Sequence, residues 1–212
     1  MVGNTHPDIH ILGHWTYPVG TTKTMYVVAN TPSVELFVNG SSLGRSSTPT
    51  DHYLFSFPAV SWTPGTIKAV GYDSAGARVA HHQLQTAGEP VAIKLTPRVG
   101  PGGLQADGAD VAMFDVEVVD ANGERCPTDE ARIDFTMTGP GIWRGGYNSG
   151  VIDSINKMDL LTEAGINRVF VRSTLAPGTI TVTATRGGLA SATATARVTS
   201  NRVHVVDGVL AR

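Results

Sequence analysis

Thr179-Ile180-Thr181-Val182-Thr183-Ala184-Thr185 alternates polar and apolar residues without a break, and after Gly187-Gly188 the pattern returns at Ala190, Ala192, Ala194, Ala196 and Val198. Successive side chains of a β-strand point to opposite faces, so a period of two puts Ile180, Val182 and Ala184 on a buried face. Two such runs around a Gly-Gly turn predict a hairpin with one dry side. Working upstream, Phe114, Val116 and Val118 share one face and Asp115 and Glu117 the other, until Asp120-Ala121-Asn122-Gly123 stops the run. Thr66–Tyr72 ends at Asp73-Ser74-Ala75-Gly76, and Arg78–Thr86 returns from it. Val34-Glu35-Leu36-Phe37-Val38 meets Asn39-Gly40, the strongest short hairpin signal. Turn signals recur about every eight to twelve residues, the spacing of a β-sandwich, and no long stretch has a helical period.

The reading is therefore all-β, as two tandem Ig-like β-sandwich domains. Small residues and a proline at Thr86-Ala87-Gly88-Glu89-Pro90 place a boundary, with one sandwich in 1–87 and another in 88–199. Pro97-Arg98-Val99-Gly100-Pro101-Gly102-Gly103 reads as a loop inside the second. Residues 200–212 form a tail with a short apolar run and no identifiable partner strand.

Composition narrows the function classes. Charged residues are 16% of the chain and the formal net charge is −2, which gives no electrostatic ground for nucleic acid or an anionic membrane as partner. Neutral ligands are the easier match. Cys126 is the sole cysteine, so no intrachain disulfide can form, and cysteine usage places the chain in no compartment. A periplasmic or extracellular location would follow only from a secreted parent protein. No apolar stretch approaches a membrane span, and the N-terminal residues lack the basic and apolar regions of a signal peptide. The polar opening reads as a chain cut from something longer.

Several motifs in fixed order carry a family likeness. His10-Ile11-Leu12-Gly13-His14-Trp15-Thr16-Tyr17-Pro18, then Val34–Gly40 and Leu43-Gly44, resembles the domain that follows the catalytic barrel in family 2 glycoside hydrolases of the bacterial β-galactosidase type. Ala106–Asp110, Val118–Gly123, Gly139-Pro140-Gly141, Gly145–Gly150 and Thr162–Val169 resemble the Ig-like domain after it. The resemblance implies a non-catalytic C-terminal region that supports a catalytic domain. The alternatives are a free-standing carbohydrate-binding module and a structural bacterial adhesin module. Retaining glycosidases need two carboxylates about 5–5.5 Å apart, and the barrel that carries them takes about 250 residues of strand–helix alternation. This chain has 212 residues and no such alternation, so no catalytic residue is assigned.

The candidate binding residues are aromatic. Sugar rings stack their C–H faces on indole and phenol, which singles out Trp143 and Tyr147, with Arg144 and Asn148 as polar neighbours, in what reads as a glycine-rich loop at a sandwich end. Trp15 and Tyr17 form a second tentative group, and Trp62, before Pro64-Gly65, reads as packing. The expected ligand is carbohydrate, such as a galactose-containing glycan, without a cofactor. His6, His10 and His14 raise the question of metal, but Pro7 and Gly13 exclude the helix that would align them, and no metal is assigned. Asn167 and Arg168 read as part of an arginine–carboxylate clamp whose acceptor is Glu163 or Asp153. Cys126 has no activating neighbour in the sequence and reads as inert.

Overall fold

A computed structural model describes residues 6–151 and 153–200, with the backbone of 204–206 and 209–211. Every regular element among the described residues is a strand, so the chain is all-β. It divides into two compact units, Met1–Ala87 and Gly88–Arg212.

The first unit holds β1 (Ile9–Ile11), β2 (Thr22–Ala29), β3 (Ser33–Val38), β4 (Ser41–Ser46), β5 (Leu54–Ser61), β6 (Thr66–Tyr72) and β7 (Arg78–Gln85). They form an antiparallel sheet ordered β1-β2-β5 and another ordered β4-β3-β6-β7. The β3–β4 hairpin turns at Asn39 and Gly40, whose φ values of 48° and 82° are those of a tight turn of the hand that matches strand twist. The Asn39 side chain accepts from the Thr66 amide and donates to Thr63 Oγ1 and the Pro64 carbonyl, so the residue that makes the turn also staples it to the next one. The inner faces meet in one core of Ile11, Met25, Val27, Leu36, Phe55 and Ile67, all essentially sealed from water.

The second unit holds β8 (Ala92–Arg98), β9 (Leu104–Gln105), β10 (Val111–Val119), β11 (Arg132–Thr138), β12 (Gly141–Gly146), β13 (Asp159–Leu161), β14 (Ile166–Ser173), β15 (Gly178–Thr185) and β16 (Ala192–Thr199). Their sheets are ordered β12-β14-β10-β8 and β13-β11-β15-β16-β9, the last pairing parallel. Phe114, Val116, Val169 and Val171 of one sheet are buried, as are Ile133, Ile180 and Val182 of the other. The run from Ala190 sinks inward only from Ala194. β17 (His204–Val206) and β18 (Val209–Ala211) pair with each other, which supplies the tail with a strand partner that the sequence did not reveal.

One boundary differs from expectation. β8 runs through Pro97 to Arg98, so the loop begins two residues later than the sequence implied. β8 is an edge strand, where a proline's missing N–H breaks no ladder bond.

Candidate functional site

The glycine-rich stretch around Trp143 is not a loop. Gly141–Gly146 is the edge strand β12, and only Tyr147 onward leaves the sheet. Trp143 lies opposite Val171 and its ring is 5.5 Å from that of Phe135, so the indole turns into the sandwich and seals its edge. Its Nε1 donates to the Lys157 carbonyl at 2.7 Å. Between Trp143 and Gly145 the register slips, and Arg144 is the extra residue of that bulge. Gly145 has a φ of +67°, and a Cβ there would stand 2.7 Å from the Asn156 nitrogen, so no other residue fits the bulge without moving the neighbouring backbone.

The residues after the bulge split into holders and presenters. Asn148 is 5% exposed; its Nδ2 donates to the Leu161 carbonyl and its Oδ1 accepts from the Gly150 amide. Ser149 donates from backbone and hydroxyl to Glu163, which ties the turn to the strand connection behind it. Tyr147, 60% exposed, is left projecting from this braced turn, and Arg144 is exposed with no ion pair or side-chain hydrogen bond among the described residues. Asn148 is thus a brace and Trp143 an edge plug, whereas Tyr147 and Arg144 offer chemistry to solvent.

The arginine clamp exists with a different acceptor. Arg168 Nε donates to Asp115 at 2.5 Å and Arg98 Nε to its other oxygen at 3.1 Å, while Asp153 pairs with Lys157 and Glu163 holds Ser149. Asp115 faces Arg168 directly in the β10–β14 register, a closeness that sequence separation hides. Burial alone would raise the Asp115 carboxyl; the two guanidinium partners outweigh it and hold the group below its ordinary value. Asp129 behaves alike: burial opposes its charge, and the Arg186 guanidinium with the Thr162 hydroxyl overcomes that. Asp120 caps its own turn by accepting from the Asn122 and Glu124 amides, and also from Gly88. Asp115, Asp120 and Asp129 are thus each held by guanidinium groups or backbone amides of the fold itself.

Arg172 is a residue that no sequence motif singles out. It sits in β14 opposite Val111 and Ile142, half-buried, and its Nε is sealed from water with no acceptor among the described residues. Two carboxylates do oppose each other, Asp134 and Asp159 across β11 and β13, but Arg132 bridges both, at 2.5 and 3.7 Å. That arrangement is a salt bridge on a flat sheet and lacks a separate acid and nucleophile.

In the first unit Trp15 is 1% exposed and packs into the core, so it presents no face to a sugar, contrary to expectation. Gly13, at a φ of +92°, ends the strand and turns the chain there. Tyr17 is half-buried: His14 stacks on it at 4.2 Å, Lys23 lies 4.4 Å over the ring and donates to its hydroxyl. Trp62 packs against the same core and donates to the Trp15 carbonyl. The histidines do not converge as a trio: the His10 ring meets His82 at 4.3 Å, and His82 Nδ1 accepts from the Ile11 amide. Cys126 is buried, and desolvation aided by Asp120 and Asp129 pushes its thiol up, away from the thiolate.

Residues 95–195 match the family model described as glycoside hydrolase family 2 C-terminal domain 5, and residues 20–80 match one described only as a domain of unknown function. A β-glucuronidase of Formosa agariphila is 53% identical over 86% of this chain, and a β-galactosidase of Bacteroides ovatus is 33% identical over 87%. The chain spans only 18% and 22% of those proteins. Among solved structures, a family 2 β-glucuronidase superposes with a TM-score of 0.83 at 49% identity, over 97% of this chain and 21% of that one. A family 2 member from Bacteroides cellulosilyticus gives 0.79 at 30% identity, over 91% and 29%.

Proposed function

Because this chain belongs with the C-terminal β-sandwiches of family 2 glycoside hydrolases, we propose that it is a non-catalytic part of such an enzyme, supporting the catalytic domain and holding carbohydrate. The observation that carries the supporting role is the likeness of nearly the whole chain to about a fifth of a family 2 β-glucuronidase. The buried carboxylates add to it, since Asp115, Asp120 and Asp129 are each spent on a guanidinium or on backbone amides. Relatives named as β-glucuronidase and as β-galactosidase leave the parent's action at a β-linked glycan of either kind.

The test is direct. The purified chain, incubated at high concentration with aryl β-glucuronide and aryl β-galactoside, is expected to release no chromophore. Turnover that follows the protein through successive columns would overturn the supporting role.

Carbohydrate binding rests on the braced turn that exposes Tyr147 three residues from an exposed Arg144 that has no ion pair among the described residues. One shallow platform supports dissociation constants of about a millimolar to tens of micromolar. Titration with galactose, lactose and galactan should show such binding, with Tyr147→Ala abolishing it and Trp62→Ala leaving it intact. Binding lost only in a folded Trp62→Ala protein would move the site to the first unit.

A further inference from the structure

The outward face of the β12-β14-β10-β8 sheet carries an unbalanced charge. These four strands hold five cations, Lys94, Arg98, Arg144, Arg168 and Arg172, against two carboxylates, Asp115 and Glu117. The opposing five-stranded sheet holds two of each, Arg132 and Arg197 with Asp134 and Asp159, in a chain whose formal net charge is −2. Glu117 takes Lys94 at 2.9 Å, and Asp115 takes both Arg98 and Arg168. Arg144 and Arg172 remain without a carboxylate among the described residues.

Arg172 is the more telling of the two. A donor shut off from water with no acceptor is destabilising, and native structures rarely keep one without a reason. Its side chain runs among apolar neighbours: Val111 and Ile142 flank it in register, 42% and 39% exposed, and Phe170 is half-buried one outward step along β14. Arg144 stands exposed at the β12 bulge, two residues beyond Ile142 on the strand that pairs with β14. Two guanidiniums without a carboxylate among the described residues thus stand beside a small apolar platform of Val111, Ile142 and Phe170.

We propose that this face binds an acidic polysaccharide, with Arg172 and Arg144 receiving uronate carboxylates while the sugar C–H faces lie on Ile142 and Phe170. The assignment rests on the carbohydrate-holding reading above and names its ligand class. Guanidinium matches a carboxylate bidentately, and an apolar surround strengthens that contact by excluding water. A neutral glycan would leave both guanidiniums unanswered. With Phe170 as its aromatic ring beside Val111 and Ile142, the platform offers no stacked aromatic row of the kind that holds nucleic-acid bases.

Affinity electrophoresis and calorimetry on the 212-residue chain would use polyglucuronate, polygalacturonate, neutral galactan and dextran sulfate. Binding to a uronate polymer is expected at low salt and should weaken as ionic strength passes about 0.1 M, where the screening length falls to about 10 Å. Arg172→Gln and Arg144→Gln should each weaken it about tenfold, the scale of one charge-assisted hydrogen bond. Arg197→Gln, on the opposite sheet, should change nothing. Arg172→Met keeps the stem and removes the unsatisfied nitrogen, so its melting temperature should equal or exceed wild type while uronate binding falls. Uronate binding untouched by both Arg144 and Arg172 variants overturns the proposal, as does equal affinity for dextran sulfate, which would mark general polyanion attraction. Galactan binding without uronate binding removes this ligand class and leaves the carbohydrate reading standing. No binding to any polymer removes both and leaves the face to a protein partner.

Discussion

The two units solve the same architectural problem with different chemistry. The first seals Trp15, Met25, Phe55 and several aliphatic side chains into one core, and among the described residues the polar ones buried in this unit are Thr31 and Ser33. The second leans on smaller side chains, with Ala112, Ala184, Ala194 and Ala196 in its interior, and also buries Asp115, Asp120, Asp129 and Asn148. The second also buries the rings of Phe114 and Phe135, but there carboxylates fasten strands and turns to one another as well. The lesson is that the unit with the exposed candidate site is also the one held by directional contacts. Directional contacts fix side-chain positions more tightly than dispersion does, at the cost of sensitivity to charge.

The sharpest way to break this comparison is to remove the chief element of each unit. Trp15→Ala should cost the first unit about 3–5 kcal/mol, the price of truncating a buried tryptophan. Asp129→Ala should cost the second about 3 kcal/mol, since it leaves Arg186 without its buried partner. Trp143 alone reports the second unit by fluorescence, whereas Trp15 and Trp62 report the first. Denaturant melts that show each substitution moving both sets of signals equally would mean one cooperative body and would dissolve the contrast.

Acid should separate the units more gently. The folded Asp115, Asp120 and Asp129 carboxyls lie below their ordinary value. Their contribution is therefore complete above the unfolded pKa of about 3.9 and is lost as pH falls through the depressed folded values. The second unit should accordingly lose stability steeply below about pH 4, and Asp129→Asn should flatten that dependence. An acid limb unchanged in the variant would mean other groups govern it.

The smallest expected effect lies in the first unit. Burial, then the charge of His10, lowers the His82 pKa, against an opposing pull from Asp8. A lowered histidine stabilises fully above the unfolded value of about 6.5 and loses that contribution as pH falls through the folded one. Protonation of Nδ1 also removes the acceptor for the Ile11 amide, so hydrogen exchange at Ile11 should quicken relative to Val27 as the solution is acidified below about pH 6.5. Equal protection at both positions through that range would dismiss the coupling.

Much of the architecture was legible because period-two alternation and turn chemistry are local. Ile180, Val182 and Ala184 are all sealed, and Asn39-Gly40 makes the hairpin it spells. The site was legible only in part. A run of glycines reads as a loop, but Gly145 and Gly146 serve an edge strand in which a bulge and close packing leave no room for side chains. Trp15 sits in a polar stretch, and nothing local says that the chain turns at Gly13 and the indole is buried. The acceptor of Arg168 was sought among its chain neighbours, whereas strand register delivers Asp115 from 53 residues away. Arg172 carries no local signal, since its isolation is a property of the finished sheet.

The seclusion of Cys126 has a practical use at the bench. Alkylating reagents attack the thiolate, and this thiol is both covered and held in its protonated form. The native chain is therefore a silent background for maleimide chemistry. A single cysteine placed at Tyr147 would accept a fluorophore or spin label there alone, and the label would sense whatever settles on the braced turn without any need to delete Cys126.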